Sequence, residues 1–458
     1  MSDMAGEKVA GVEPGRIAEV FESETARYVV KRPKSRARLE ARNSGFLDNV
    51  PMLWMKDWPQ PFPILVEKAQ GATLVDIDGN ELDDFCLGDT GSMFGHSPEP
   101  VAKAIAEQAS RGLTYMLPTE DALEVGALLT EKFGPFRWQI ATTASDANRF
   151  AMRIARAVTG KPRVLFFAAC YHGAVDDALV RNVDGRTVER PALVGQVADL
   201  SQTSKVIEFN DLAALEAALA EGDVAAVLAE PVMTNCCMVL PDPGYHHELR
   251  RLTRKHDVLL IIDETHTISS GLGGYTRTHG LEPDMFVAGK PVAGGLPASI
   301  WGMSEAVAQR FRAYDEVRPS GFSGIGTTLS ANPLQFAAMR ANLSEVMTPE
   351  NYAHMEKGAE RLSNGLQAVI AKKELPWHVV RVGARVEFVC HPTLLRNGSE
   401  SYIAHKPALE RALHLALVNR GCLIAPFHNM MLVSPATSNA QIDRLIAAFD
   451  DVTSELLA

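Results

Sequence analysis

An apolar run, Met285-Phe286-Val287-Ala288, ends in Gly289-Lys290, and a Gly294-Gly295-Leu296-Pro297 turn follows. A lysine at the end of a buried strand costs free energy unless the site uses it. A desolvated amine can act as a nucleophile toward a carbonyl carbon. A second apolar run, Val258 to Ile262, ends in Asp263-Glu264-Thr265-His266. A lysine at one strand end and a carboxylate at another point to pyridoxal phosphate. Lys290 would hold the aldehyde, and Asp263 would keep the ring nitrogen protonated. The plainer alternatives are a lysine emerging to reach solvent and an aspartate capping the next helix.

A phosphate group needs backbone N–H donors at a helix start. Thr143-Ala144-Ser145-Asp146-Ala147 opens such a helix, with Phe150, Ile154 and Val158 at i, i+4 spacing and Gly160 as a stop. Ser145 would donate its hydroxyl, and the Ala144 and Ser145 amides would face the anion. A simple N-cap explains the same residues.

The pair Asp263-Glu264 and Gly289-Lys290, with Gly294-Gly295-Leu296-Pro297, resembles the class III (omega) aminotransferases. Within them the chain is most similar to the branch of glutamate-1-semialdehyde aminomutases and beta-amino-acid transaminases. The resemblance runs from about residue 60 to 450. It implies that Lys290 also shuttles a proton at the substrate carbon, that Glu264 supports Asp263, and that Thr265 replaces a valine packed under the ring. His266 would lie near the cofactor's phenolic oxygen. Cys170-Tyr171-His172-Gly173 matches a Tyr-His-Gly motif in which Tyr171 stacks on the ring and His172 joins the cofactor site. Glu230-Pro231-Val232 matches a Glu-Pro-Val motif at a strand end, and Asn235 matches an asparagine of the aminomutase branch. Ala144 stands where glycine is usual. Gly326-Thr327-Thr328-Leu329-Ser330-Ala331-Asn332-Pro333 resembles the segment that reaches the neighbouring subunit's cofactor phosphate through Thr327 or Thr328. That implies a homodimer with shared active sites, which could pair further into a tetramer.

Substrate contacts depart from the family. Ala425 to Met431 and Asn49 to Trp58 correspond to two carboxylate-binding segments, yet neither contains an arginine, and His428 stands where one is expected. Trp54, Met55, Trp58, Met93 and Phe94 could line an apolar pocket or simply fill a core. Arg385 and Glu387 interrupt an apolar strand. Arg385 could clamp a carboxylate, or the two could form a salt bridge along the strand.

The elements that must position these residues alternate helix and strand. Val101 to Arg111, Glu120 to Phe133 and Ala144 to Thr159 read as helices. Val164 to Phe167, Ala225 to Leu228, Val258 to Ile262 and Met285 to Val287 read as buried parallel strands. Glu230, Asp263 and Lys290 then fall just beyond strand carboxyl ends, where α/β sheets bind ligands. A hairpin is expected at 73–77, with its turn at Asp78-Gly79-Asn80. Later, 335–346, 352–373 and 406–420 read as helices, and 379–389 and 431–433 as strands. The resemblance implies an α/β chain of fold type I. Its large domain has a mostly parallel sheet sandwiched by helices, and a small α+β domain comes from both chain ends. The expected divisions are 1–74 for the N-terminal arm and part of the small domain, 75–334 for the large domain, and 335–458 for the rest of the small domain.

Composition narrows the function classes. The chain has 458 residues and 45 − 56 = −11 formal charges, which argues against a nucleic-acid surface. No apolar run is long enough to span a membrane, and Met1 to Glu19 lacks the apolar core of a signal peptide. The six cysteines lack metal-ligand spacing and read as reduced thiols of a cytoplasmic protein, with no metal expected. The basic cluster from Lys31 to Arg42, interleaved with acids, reads as a solvated helix face. The expected activity is a ping-pong omega-transaminase moving an amino group from an amine or omega/beta-amino donor to a keto acid, such as pyruvate, or an aldehyde. The alternative is a glutamate-1-semialdehyde 2,1-aminomutase-like isomerase.

Overall fold

Val224–Ala229 and Leu259–Asp263 are buried at every position, as strands covered on both faces must be. They lie inside a seven-stranded sheet in a computed structural model that describes residues 7–41, 45–191 and 193–458. Across the sheet the order is Arg137–Ala141, Ser299–Met303, Met285–Ala288, Leu259–Asp263, Val224–Ala229, Arg163–Phe167 and Ser204–Ile207. Ser299–Met303 runs antiparallel to both its neighbours, and the other pairings are parallel. Asp263 is level with Val287, and Ile262 is level with Ala229. Glu230, Asp263 and Lys290 therefore leave the sheet along one edge.

The helix Ala144–Thr159 packs on this sheet. Thr143 Oγ1 accepts from the Asp146 amide at 3.2 Å, and Gly160 ends the helix with φ +69°. Its buried face carries Ala147, Phe150, Ala151 and Ile154, with Asn148 as a buried polar exception.

Both chain ends meet in a second unit. Glu81–Asp84 pairs in parallel with Cys422–Leu423, and the helix Pro14–Lys31 packs on Pro407–Asn419. His378–Val382, Arg385–Val389 and Met430–Leu432 form an antiparallel sheet. Trp377, Phe388 and Phe449 pack under it.

Three expectations change. The strand expected over 379–389 is a hairpin that turns at Gly383, where φ is +55° and an added Cβ would come within 2.4 Å of Ser270 Cα. A run of valines on either side hid the turn. The helix expected over 335–346 begins at Pro333, behind an Asn332–Gln335 capping box, and its last stretch, Asn342–Val346, is a π-type turn. Arg32, within the basic cluster, is not solvated: it is 1% exposed, pairs with Asp76 at 3.0 Å and lies 4.3 Å over the Tyr28 ring. Arg42, at the end of that cluster, and Met1 to Gly6 lie outside the described residues. Among the described residues no helix is long and apolar enough to cross a membrane. All six cysteines are buried and unpaired.

Candidate active site

Glu230, Asp263 and Lys290 open onto one cavity of about 340 Å³. The expected Ala144, Ser145, Tyr171, His172, Asn235, Thr265 and His266 also line it. Ala144 is accommodated because residue 289 is glycine, where an added Cβ would approach that of Ala144 to 2.9 Å. Ser145 Oγ accepts from the Ala174 amide at 3.0 Å, which leaves its hydroxyl hydrogen free for an anion at the helix N-terminus. Gly173 is needed beside it, since a Cβ there would strike Ser145 Oγ.

Asp263 is buried and held from three sides. Its Oδ2 accepts from Asn148 Nδ2 at 2.8 Å and meets His172 Nδ1 at 2.9 Å, and its Oδ1 accepts from the Thr265 amide at 3.0 Å. Burial would raise its pKa, but the hydrogen bond and charge of His172 outweigh that and hold the carboxyl below its ordinary range. His172 therefore sits behind the carboxylate and orients it. Burial alone would lower the His172 pKa, yet Cys170 and the Asp263 carboxylate push it up to about 10.

This raised value has a sign. Pairing of protonated His172 with Asp263 stabilises the fold fully below pH 6.5 and is lost as pH rises through about 10. His172→Gln should lower the melting temperature of the cofactor-free protein most near pH 6.5, with the gap to wild type closing toward pH 10. A gap independent of pH in thermal melts would mean that His172 is neutral in the fold.

A polar chain leads from Glu230 to Lys290. Glu230 Oε2 accepts from the Thr234 amide at 3.2 Å and from the Thr234 hydroxyl. Thr234 Oγ1 lies 2.8 Å from His266 Nδ1, and His266 Nε2 contacts Lys290 Nζ. With the threonine proton given to Glu230, His266 carries its own proton on Nδ1 and presents Nε2 as an acceptor to the lysine. Burial, joined by the Lys290 charge, holds His266 well below its ordinary range, so the ring is neutral. Burial pushes Glu230 up to about 7. Lys290 itself has φ +49°, a left-handed backbone conformation. Its Nζ also donates to Asp89 Oδ2 at 2.6 Å.

The remaining expected residues lie elsewhere. Glu264 is buried beside the site but turned from it, accepting from Thr267 Oγ1 at 2.6 Å and from the amides of Tyr275 and Thr276. Met93 and Phe94 are buried in a hydrophobic core. Trp54, Met55 and Trp58 line a separate cavity of about 490 Å³, with Trp54 edge-on to Phe427. Arg385 is buried behind Thr90, and His428 Nδ1 lies 3.3 Å from Glu387. Thr327 and Thr328 are exposed on a turn tied back to Thr142 through Ser330.

Sequence reading missed Asp89, Asn148 and Thr234. Asn148 had a signal, a polar residue on an otherwise apolar helical face. Asp89 had a weaker one, an acid flanked by Gly88 and Gly91.

The cradle fits pyridoxal phosphate. It offers a helix N-terminus and hydroxyl for phosphate, an anionic buried carboxylate for a protonated ring nitrogen, a half-exposed Tyr171 ring on the wall, and an amine for the aldehyde. Comparison with known proteins agrees with this. Residues 54–453 match the family model described as aminotransferase class-III. A glutamate-1-semialdehyde 2,1-aminomutase of Roseiflexus castenholzii is 33% identical over 395 residues, 85% of this chain and 89% of that protein. A solved glutamate-1-semialdehyde-aminomutase from Pseudomonas aeruginosa PAO1 has a TM-score of 0.95 at 48% identity, covering 98% of this chain and 100% of its own. A variant of it was solved in complex with PMP. An omega-transaminase from Sphaerobacter thermophilus has a TM-score of 0.85 at 26% identity, covering 94% of this chain and 100% of its own.

Proposed function

Because the chain belongs to the class-III aminotransferase family, with its type I fold and its cofactor pyridoxal phosphate, we propose that it moves an amino group between adjacent carbons of one small amino-aldehyde, as a glutamate-1-semialdehyde 2,1-aminomutase-like isomerase. The observation that carries this reading is the 48% identity, over 98% of the chain, to a structure of that name. When bound, the cofactor supplies the aldehyde and an electron-withdrawing ring. Lys290 is the attachment point and moves a proton at the substrate carbon. Asp263 holds the proton of the ring nitrogen. Ser145 and the amides at the helix start hold the phosphate, Tyr171 covers a ring face, and His266 receives a hydrogen bond from the Lys290 amine. A homodimer with shared sites is part of the proposal, supported by the exposure of Thr327 and Thr328 on a turn outside their own cavity.

One observation favours a second reading, an omega-transaminase. Among the described residues no arginine lines the cavity, and Arg385 is sealed from it, so a substrate carboxylate meets no guanidinium there. That suits an amine or an omega/beta-amino donor. The visible spectrum of cofactor-loaded protein separates the two. As an aminomutase, it should respond to glutamate-1-semialdehyde and form 5-aminolevulinate with no acceptor present. Bleaching by a simple amine and recovery with pyruvate, without that product from the semialdehyde, would overturn the first reading in favour of the second.

A further inference from the structure

Next to the reactive amine runs a stretch of backbone that L residues avoid. Leu87, Gly88, Asp89 and Thr90 have consecutive φ values of 46°, 59°, 48° and 81°. Each non-glycine residue held there costs free energy. The turn is braced by hydrogen bonds from the amides of Asp89 to Cys86 O (2.9 Å), Gly91 to Gly88 O (3.1 Å) and Ser92 to Leu87 O (2.9 Å). Asp84 braces it again, its Oδ1 accepting from the Cys86 and Leu87 amides at 2.8 Å each while Oδ2 meets His96 Nε2 at 2.7 Å.

The strained turn delivers the Asp89 carboxylate to Lys290. Its other oxygen, Oδ1, is buried and has no hydrogen-bond partner among the described residues. The next residue, Thr90, accepts through Oγ1 from Arg385 Nη2. Arg385 is buried as well, and its Nε and Nη1 have no partner among the described residues. A desolvated guanidinium and a desolvated carboxylate oxygen, each short of a partner, thus flank one threonine. A covalently engaged Lys290 nitrogen keeps at most one hydrogen to donate, so Asp89, whose side chain is 42% exposed but whose Oδ1 is buried, is left short of its contacting donor. The charges of Arg385 and Asp89 already act on each other across this threonine.

We propose that Asp89 is the exchangeable counter-ion of Lys290, holding the free amine in an ion pair and turning to the unbonded guanidinium edge of Arg385 when that amine is covalently engaged. The proposal rests on Lys290 being the cofactor-bearing amine. Arg385 is then a positioning residue and not a clamp for substrate. The groups facing Asp89 are Lys290, His266, Arg385 and His428. Asp84 and Cys86 lie on its own turn, Tyr171 across the cavity, and Glu387 and Glu230 beyond Arg385.

The test uses full-length protein stripped of cofactor and competitive acetylation near neutral pH, with the Lys290 peptide quantified by mass spectrometry. Asp89→Asn should label Lys290 several-fold faster than wild type, because the contact with Asp89 Oδ2 must open before the amine can attack the reagent. Asp89→Glu, which keeps the charge, should return toward the wild-type rate. Equal labelling of Lys290 in wild type and a folded Asp89→Asn protein would overturn the counter-ion assignment. Melting temperatures of Asp89→Asn, Arg385→Gln and the double variant test the exchange. Non-additivity should be larger in the cofactor-loaded than in the cofactor-free protein, and equal coupling in both states would overturn the change of partner. Borohydride reduction of loaded protein, with the modified peptide mapped, reports separately on Lys290. An adduct on another lysine would sink the attachment assignment whatever the labelling shows.

Discussion

Lys290→Ala should abolish the borohydride-reducible protein–cofactor adduct and slow turnover by at least about 10²- to 10⁴-fold, the range a positioned acid–base group contributes. The expectation follows from position more than from residue type. Lys290 follows the strand Met285–Ala288 at the carboxyl edge of the sheet, three residues beyond Val287, the partner of Asp263, and its amine lies within reach of His266 and Asp89. Among the described residues lining the cavity no other side chain carries an amine that could form the adduct, since Asp89 is a carboxylate and His266 a neutral ring held to Thr234 through Nδ1. Added small amines should restore part of the proton transfer, because the space left by the side chain borders the cavity. Mapping the reduced peptide and measuring single-turnover rates with and without added amine check this. Turnover at the wild-type rate by Lys290→Ala would sink the assignment.

The second large effect is expected from Asp263→Asn. The variant should still bind cofactor, because the phosphate cradle at Ser145 lies on another element, while turnover falls by about 10²- to 10⁴-fold, that is about 3 to 5 kcal/mol of barrier. Two physical losses combine. A neutral amide does not stabilise a protonated ring nitrogen. The amide is also wrong for its three donors: Asn148 and His172 converge on one oxygen and the Thr265 amide on the other, so the asparagine NH₂ must face at least one donor. His172, raised toward about 10 with Asp263 as a partner, would become a buried cation without its anion and should deprotonate at lower pH. Cofactor retention by absorbance, set beside single-turnover rates, separates the chemical loss from a binding loss. Unchanged turnover with cofactor bound would exclude the electron-sink role.

Much of the large sheet was legible. Val258 to Ile262 and Ala225 to Leu228 have no room for a solvent face, so they read as strands buried on both sides. Glu230, Asp263 and Lys290 were then strand-end residues by simple counting. The helix Ala144–Thr159 was legible from its Thr143 cap and its Gly160 stop, which are local signals too. The expected substrate contacts were less readable. Met93, Phe94 and the two tryptophans are apolar, and apolar character alone does not distinguish a pocket wall from a core. The structure places Met93 and Phe94 in a core and gives Trp54 and Trp58 a different cavity.

Sequence alone determined that Glu230, Asp263 and Lys290 would leave one edge of the sheet, because burial period and turn residues act over a few positions. Their pairing was decided by tertiary structure. His172 and Asn148 reach Asp263 across 91 and 115 residues. Asp89 reaches Lys290 across 201 residues, and Arg385 reaches Thr90 across 295. No local period encodes such contacts. They depend on strand register, on one left-handed turn, and on how the unit built from both chain ends seats Arg385 behind that turn. Buried polar groups take whatever partners packing brings within hydrogen-bond distance, so the electrostatics of this site belong to the fold rather than to any single motif.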